Sequence, residues 1–117
     1  MEHSFAVHVP GADLSAEPLD PAQVVSGRPE VSGRVVGESA DGRTVRGIWQ
    51  MTPGVVTDTA ADEVFVVVSG SATIEVADGP TLRVGPGDLV VLREGDRTTW
   101  TVHETLRKVY VSHHAAV

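Results

Sequence analysis

Pro53-Gly54-Val55-Val56-Thr57-Asp58-Thr59-Ala60-Ala61-Asp62-Glu63-Val64-Phe65-Val66-Val67-Val68-Ser69-Gly70 opens on a Pro-Gly turn and runs through small polar residues. It then becomes almost purely apolar until a second turn-forming glycine. Alternation along a strand puts Glu63, Phe65 and Val67 on one face and Val64, Val66 and Val68 on the other. Both faces are apolar, so the run reads as a strand covered on two sides, with one carboxylate entering the interior. A buried carboxylate is costly unless it is hydrogen-bonded, metal-bound or protonated. Glu63 is therefore the residue around which a site is expected.

The rest of the chain repeats this β character. Gly33-Arg34-Val35-Val36 leads to an Asp41-Gly42 hairpin turn and back through Thr44–Met51. Beyond Gly70, strands are expected over 71–76, 81–84, 89–92, 98–103 and 107–111, each bounded by glycine, proline or aspartate. About eight to ten short strands at regular spacing, with almost no helix, indicate an all-β sandwich or barrel. Residues 1–30 read as an N-terminal arm, and 31–117 as the barrel. In the arm, Phe5-Ala6-Val7-His8-Val9 alternates as an edge strand, and Asp20-Pro21 starts one helical turn.

Composition limits the function. A chain of 117 residues makes one domain, and without cysteine it has no disulfide, thiolate metal site or cysteine nucleophile. Sixteen acidic against nine basic residues give a net charge of −7, which argues against nucleic acid or an anionic membrane surface as partner. The start Met1-Glu2-His3-Ser4-Phe5 lacks the character of a signal peptide, so a cytoplasmic protein is expected.

Two stretches resemble the signature motifs of the cupins. In the first, Glu63 and Gly70 stand at the expected spacing, and the two metal-binding histidines fall on Thr57 and Thr59, or on Val56 and Asp58 if the spacer is one residue longer. In the second, Gly87-Asp88, an apolar strand and Glu94-Gly95 follow the G-D-x-x-x-x-P-x-G-x-x-H pattern, with Arg93 at the proline and Thr98 at the final histidine. A closer resemblance is carried by Ser26–Val35, Gly47-Ile48-Trp49, Asp62-Glu63 and the ending W-x-V-x-E-x-x-R-K-x-Y over Trp100–Tyr110. It is to small single-domain cupins related to the (S)-ureidoglycine aminohydrolase cupin domain. That resemblance implies a double-stranded β-helix, the jelly-roll barrel, often dimeric. It does not carry over the aminohydrolase activity, because only Glu63 matches a ligand position.

The candidate site follows. Glu63 is either a hydrogen-bonded relic or a desolvated acid–base group. Trp100 is expected to line a pocket and Trp49 to contribute core or wall, with Phe65 and Tyr110 beside them. Thr57, Thr59 and Thr98 are poor transition-metal ligands but can hydrogen-bond a small polar molecule. Glu104 and Lys108 are expected to form a structural ion pair near the last strand. Tyr110, His103 and Asp58 are candidates for a second proton-handling group. No histidine pair has ligand spacing, so no metal and no cofactor are expected. The favoured function is a metal-free cupin binding a small molecule near Glu63 and Trp100. The alternative is a metal-independent isomerase, lyase or hydrolase using Glu63, and a metal-dependent aminohydrolase-like enzyme ranks last. A homodimer is expected, because Phe5, Val7 and Val9 have no evident burial within one small barrel.

Overall fold

The protein is described here by a computed structural model covering residues 3–115. Among the described residues nine strands occur, in the order β1 Ser15–Ala16, β2 Val24–Ser26, β3 Val31–Glu38, β4 Thr44–Met51, β5 Gly54–Thr59, β6 Asp62–Val76, β7 Thr81–Val84, β8 Leu89–Leu92 and β9 Arg97–His113. Among the described residues the only helical segments are two short 3-10 turns, Val9–Gly11 and Pro21–Gln23. No helix of the described residues is long and apolar enough to cross a membrane. The strands form one hydrogen-bonded sheet ordered β1-β3-β4-β9-β5-β2, with β6 joined to β7, β8 and β9. Because β9 pairs with β4, β5 and β6, and all pairings are antiparallel, the sheet curls into the expected all-β jelly-roll barrel.

The two long strands make the curl. In β9, Arg97–Val102 pairs with β5 and Leu106–His113 pairs with β4, so one strand spans both layers. In β6, the register against β9 shifts between Val67 and Ala72. The Ser69-Gly70 turn expected from sequence is instead a bulged bend within a continuous strand, and the separate strands expected over 98–103 and 107–111 are likewise one. Gly70 explains the bend. Its φ is +84°, and a Cβ there would run into the Thr105 carbonyl of β9.

The expected strand over 5–9 does not form. Residues 3–8 are irregular and Val9 begins a 3-10 turn. This segment is tied down by Arg107, whose Nη1 donates to the carbonyls of Val9, Pro10 and Ala12 at 2.7, 3.3 and 3.0 Å. Three backbone acceptors on one guanidinium satisfy carbonyls that have no ladder partner. The helical turn after Asp20 is present, with the Asp20 carboxylate accepting from the Ala22 N–H at 2.9 Å. Beyond it, β2 hydrogen-bonds to β5 and β1 to β3, so much of the N-terminal 30 residues extends the sheet.

The core fills the space between the layers. Phe65, Val67, Ala72 and Ile74 from β6 meet Trp100, Val102 and Leu106 from β9, with Met51, Val56, Val90 and Leu92 closing around them. The alternation expected for β6 is kept, since Phe65 and Val67 are buried while Val64 is exposed.

Candidate functional site

Inward-facing positions on β9 follow the even numbers at both ends of the strand. Thr98, Trp100 and Val102 are buried in the first half, Leu106, Lys108 and Ser112 in the second, and Tyr110 is partly buried. Lys108 therefore projects into the barrel and is 6% exposed. It lies opposite Trp49 of β4 and Val67 of β6, one alternation away from the Tyr110–Phe65 pair. Glu63 enters from the start of β6, and its Oε2 accepts a hydrogen bond from Lys108 Nζ at 2.5 Å. The interior carboxylate thus has a cation supplied by another strand. The expected Glu104–Lys108 pair is absent, because Glu104 sits on the exposed face near the β6 bulge while Lys108 faces in.

Four aromatic rings surround the ammonium. Nζ is 4.4 Å from the ring centre of Phe65, 4.7 Å from Trp49, 4.9 Å from Trp100 and 5.6 Å from Tyr110. Each such contact is worth about 0.5–2 kcal/mol, more as water is excluded. The rings also brace one another, Trp49 meeting Trp100 edge-on at 5.5 Å and Phe65 lying tilted on Trp100 at 5.5 Å. Tyr110 fits because its cross-strand neighbour is Gly47, where a Cβ would occupy the space of the phenol ring.

Above this cluster opens a cavity of about 350 Å3 lined by Trp49, Val56, Asp58, Glu63, Trp100, Lys108 and Tyr110, with Leu19 and Gln23 at its rim. Burial drives the Lys108 ammonium below the usual lysine range, against the opposing pull of Glu63 and Asp58. Desolvation likewise raises the Asp58 carboxyl, with Lys108 partly offsetting it. Asp58 lines the cavity and is itself exposed. Tyr110 is raised by burial first, then by the negative charges of Glu17 and Glu63.

The expected site residues separate into two groups. Glu63, Trp49, Trp100 and Tyr110 line the cavity together, whereas Phe65 does not reach it and is buried behind them against Trp100 and Lys108. Thr59 reaches its rim. Thr57 does not belong to it, because it pairs with Thr99 on the outer side of β5, where it lines a wider, open depression with Thr99, Glu75 and Arg97. Thr98 faces inward, but its hydroxyl is used in donating to the Asp58 carbonyl at 3.1 Å. The inward positions of β5 are Val56 and Asp58, opposite Trp100 and Thr98. The longer spacer is thus the one realised, and Asp58 holds a place given to Thr57 or Thr59. His103 lies outside, bonded to Thr73 at 2.9 Å.

Lys108 is the central residue that the sequence reading misplaced. A signal for it existed. It is the single lysine of a chain whose other eight basic residues are all arginine.

The EutQ-like cupin domain family matches residues 38–110, well over half of the chain and including every residue of the cage. The chain belongs to the EutQ-like cupins. No curated protein is similar enough in sequence to match it. Among solved structures it is similar to the EutQ protein of Clostridium difficile, with 20% identity, a TM-score of 0.74, and coverage of 96% of this chain and 88% of that one. A Pseudomonas syringae pv. tomato protein of the DUF861 family, of unknown function, gives 25% identity and a TM-score of 0.77. There the match covers 86% of this chain and only 44% of the other. The Cnp3 cupin domain of Schizosaccharomyces pombe shares the fold at 11% identity and a TM-score of 0.69, over 94% of this chain and 74% of that one. Cupins commonly hold a metal inside the barrel, and the donor set here does not fit one. Among the described residues no three His, Cys, Asp or Glu side chains converge, and the ammonium of Lys108 occupies the place beside Glu63 that a cation would need.

Proposed function

We propose that this EutQ-like cupin binds a small, uncharged organic molecule inside the barrel, flat against Trp49 and Trp100 and hydrogen-bonded near Glu63 and Asp58. The supporting observation is the cavity itself, which joins aromatic walls to a few convergent polar groups. Asp58 and Glu63 face it with Lys108 and His114 as the basic side chains, and Glu17 adds negative charge near Tyr110. That balance disfavours anionic ligands. The tie to the (S)-ureidoglycine aminohydrolase branch rests on Glu63 and the Trp100–Tyr110 pattern, and in this reading it extends to the barrel scaffold, without metal chemistry. Asp58 supports a second reading, metal-independent acid–base catalysis, because a raised carboxyl beside a coupled Glu63–Lys108 pair can move a proton.

The two tryptophans are the only ones in the chain, and both line the cavity. A 15N-labelled sample therefore shows two indole N–H signals, each reporting on the site. Small neutral molecules such as benzyl alcohol are expected to shift both signals saturably, with Trp49→Leu weakening the effect. If a broad set of neutral small molecules leaves both signals in place, the proposal fails.

A further inference from the structure

Lys108 is placed for more than neutralising Glu63. A guanidinium would pair a carboxylate with two parallel hydrogen bonds, and arginine is what this chain uses everywhere else for positive charge. At this one position it carries a primary amine, the side chain that forms covalent adducts with carbonyl compounds. Lys108 lines the cavity, and its Nζ touches a carboxylate and is enclosed by four aromatic rings.

We infer that Lys108 forms a reversible imine with an uncharged aldehyde or ketone bound in the cavity, with Glu63 as the proton shuttle. The inference rests on the binding reading above and names its ligand class. The proton of the hydrogen bond first passes from Nζ to the Glu63 carboxylate, giving a neutral amine and a carboxylic acid with no change in net charge. The nitrogen lone pair then attacks the carbonyl carbon, the C=O π pair moves to oxygen, and that oxygen takes the proton from Glu63. Glu63 next removes one proton from nitrogen and returns it to the hydroxyl of the carbinolamine. The C–O bond breaks, water leaves, and the nitrogen lone pair closes the C=N bond. In sum, one ammonium and one carbonyl become one protonated imine and one water. The product cation faces the restored Glu63 carboxylate and the rings of Trp49, Phe65, Trp100 and Tyr110, which favour a delocalised cation as they do an ammonium.

The surroundings suit this step. Burial favours the neutral amine over the ammonium, and the apolar walls favour loss of water. The ionisable groups facing the cavity are Asp58 of β5, Glu63 of β6, Lys108 and Tyr110 of β9, and His114 just past its end. Two carboxylates against one ammonium select for carbonyl compounds without negative charge.

The test uses the full chain and benzaldehyde as probe, with sodium cyanoborohydride to trap the imine, followed by peptide mass mapping. The single lysine makes the result unambiguous, the N-terminal amine being resolved on a different peptide. One benzyl group is expected on Lys108 in the folded protein, at a rate about tenfold or more above that of Nα-acetyllysine at neutral pH, because the cavity holds the aldehyde against the amine. The anionic probe 4-carboxybenzaldehyde should label markedly more slowly. Lys108→Arg should fold, keep the charge beside Glu63, and lose the internal label. The proposal is overturned if Lys108 is labelled only after unfolding in urea, or no faster than Nα-acetyllysine. Benzyl alcohol, which cannot form an imine, separates the two ideas. Saturable shifts of both indole signals without any Lys108 adduct would leave the binding reading standing and remove the imine. Absence of both shift and adduct would remove both.

Discussion

Glu63 and Lys108 are two charges taken out of water together, and their energetics follow from that. Removing either leaves the other buried and uncompensated, whereas replacing both by apolar groups is often neutral. Glu63→Leu and Lys108→Met are each expected to destabilise the fold by about 3 kcal/mol, with the double variant recovering most of the loss. Urea denaturation of the four proteins checks this, and additive losses would show that the pair is not coupled. Asp58 gives the opposite sign. Its folded carboxyl is raised, so holding it ionised costs stability at neutral pH. That cost fades as pH falls and is gone below the unfolded value of about 3.9. Asp58→Asn is accordingly expected to stabilise the protein slightly at pH 7, by under about 1 kcal/mol because the group is solvent-screened, and not at pH 3. A gain of equal size at both pH values would point to a packing effect instead.

Strands β6 and β9 carry the site because each is long enough to cross both layers of the barrel. Glu63 and Phe65 lie on one side of the β6 bulge and Ala72 and Ile74 on the other, all facing inward. A continuous strand with strict alternation has no freedom to change its pairing in mid-course, so the extra residues of the bulge reset the register. Gly70 permits this through its positive φ and through the close approach of Thr105. Gly70→Ala is expected to cost about 3 kcal/mol, combining a left-handed backbone with a clash against main chain that cannot rotate away. Gly42→Ala, also at positive φ but with open space around its Cβ, should cost about 1 kcal/mol. Thermal melts of the two variants make the comparison, and equal losses would show that the Thr105 contact is unimportant.

The outside of the barrel bears a patch unusual for a small isolated domain. Val64 and Val66 of β6 pair with Val91 and Leu89 of β8 on one side and with Val111 and Val109 of β9 on the other. Val64, Leu89, Val91 and Val111 are all exposed. A contiguous apolar sheet face of this kind is expected to be covered by a second copy of the chain in a two-fold dimer. Sedimentation at micromolar concentration should give a dimer, and Leu89→Lys with Val91→Glu should give a folded monomer. A wild-type monomer would set the expectation aside.

Strand alternation is a local property, and local properties were legible in the chain. The faces of Glu63, Phe65 and Val67, the Asp41-Gly42 hairpin, the Asp20 cap and the strands over 44–51, 81–84 and 89–92 all follow from near neighbours. Local pattern left sandwich and barrel both open, and the jelly-roll barrel was implied by the resemblance of two glycine-centred motifs to those of the cupins. Partnership across strands is not local. Nothing near Glu63 in sequence announces that Lys108, 45 residues away, will be its hydrogen-bond partner. Nor does local pattern say whether Thr57 or Asp58 faces inward, since both spacers satisfy the same motif and only the pairing of β5 with β9 selects one. Register is set by the closure of the whole sheet, and a shift of one residue exchanges the inner and outer faces. Tertiary closure thus turned an expected lone carboxylate ringed by threonines into a caged lysine held by two strands.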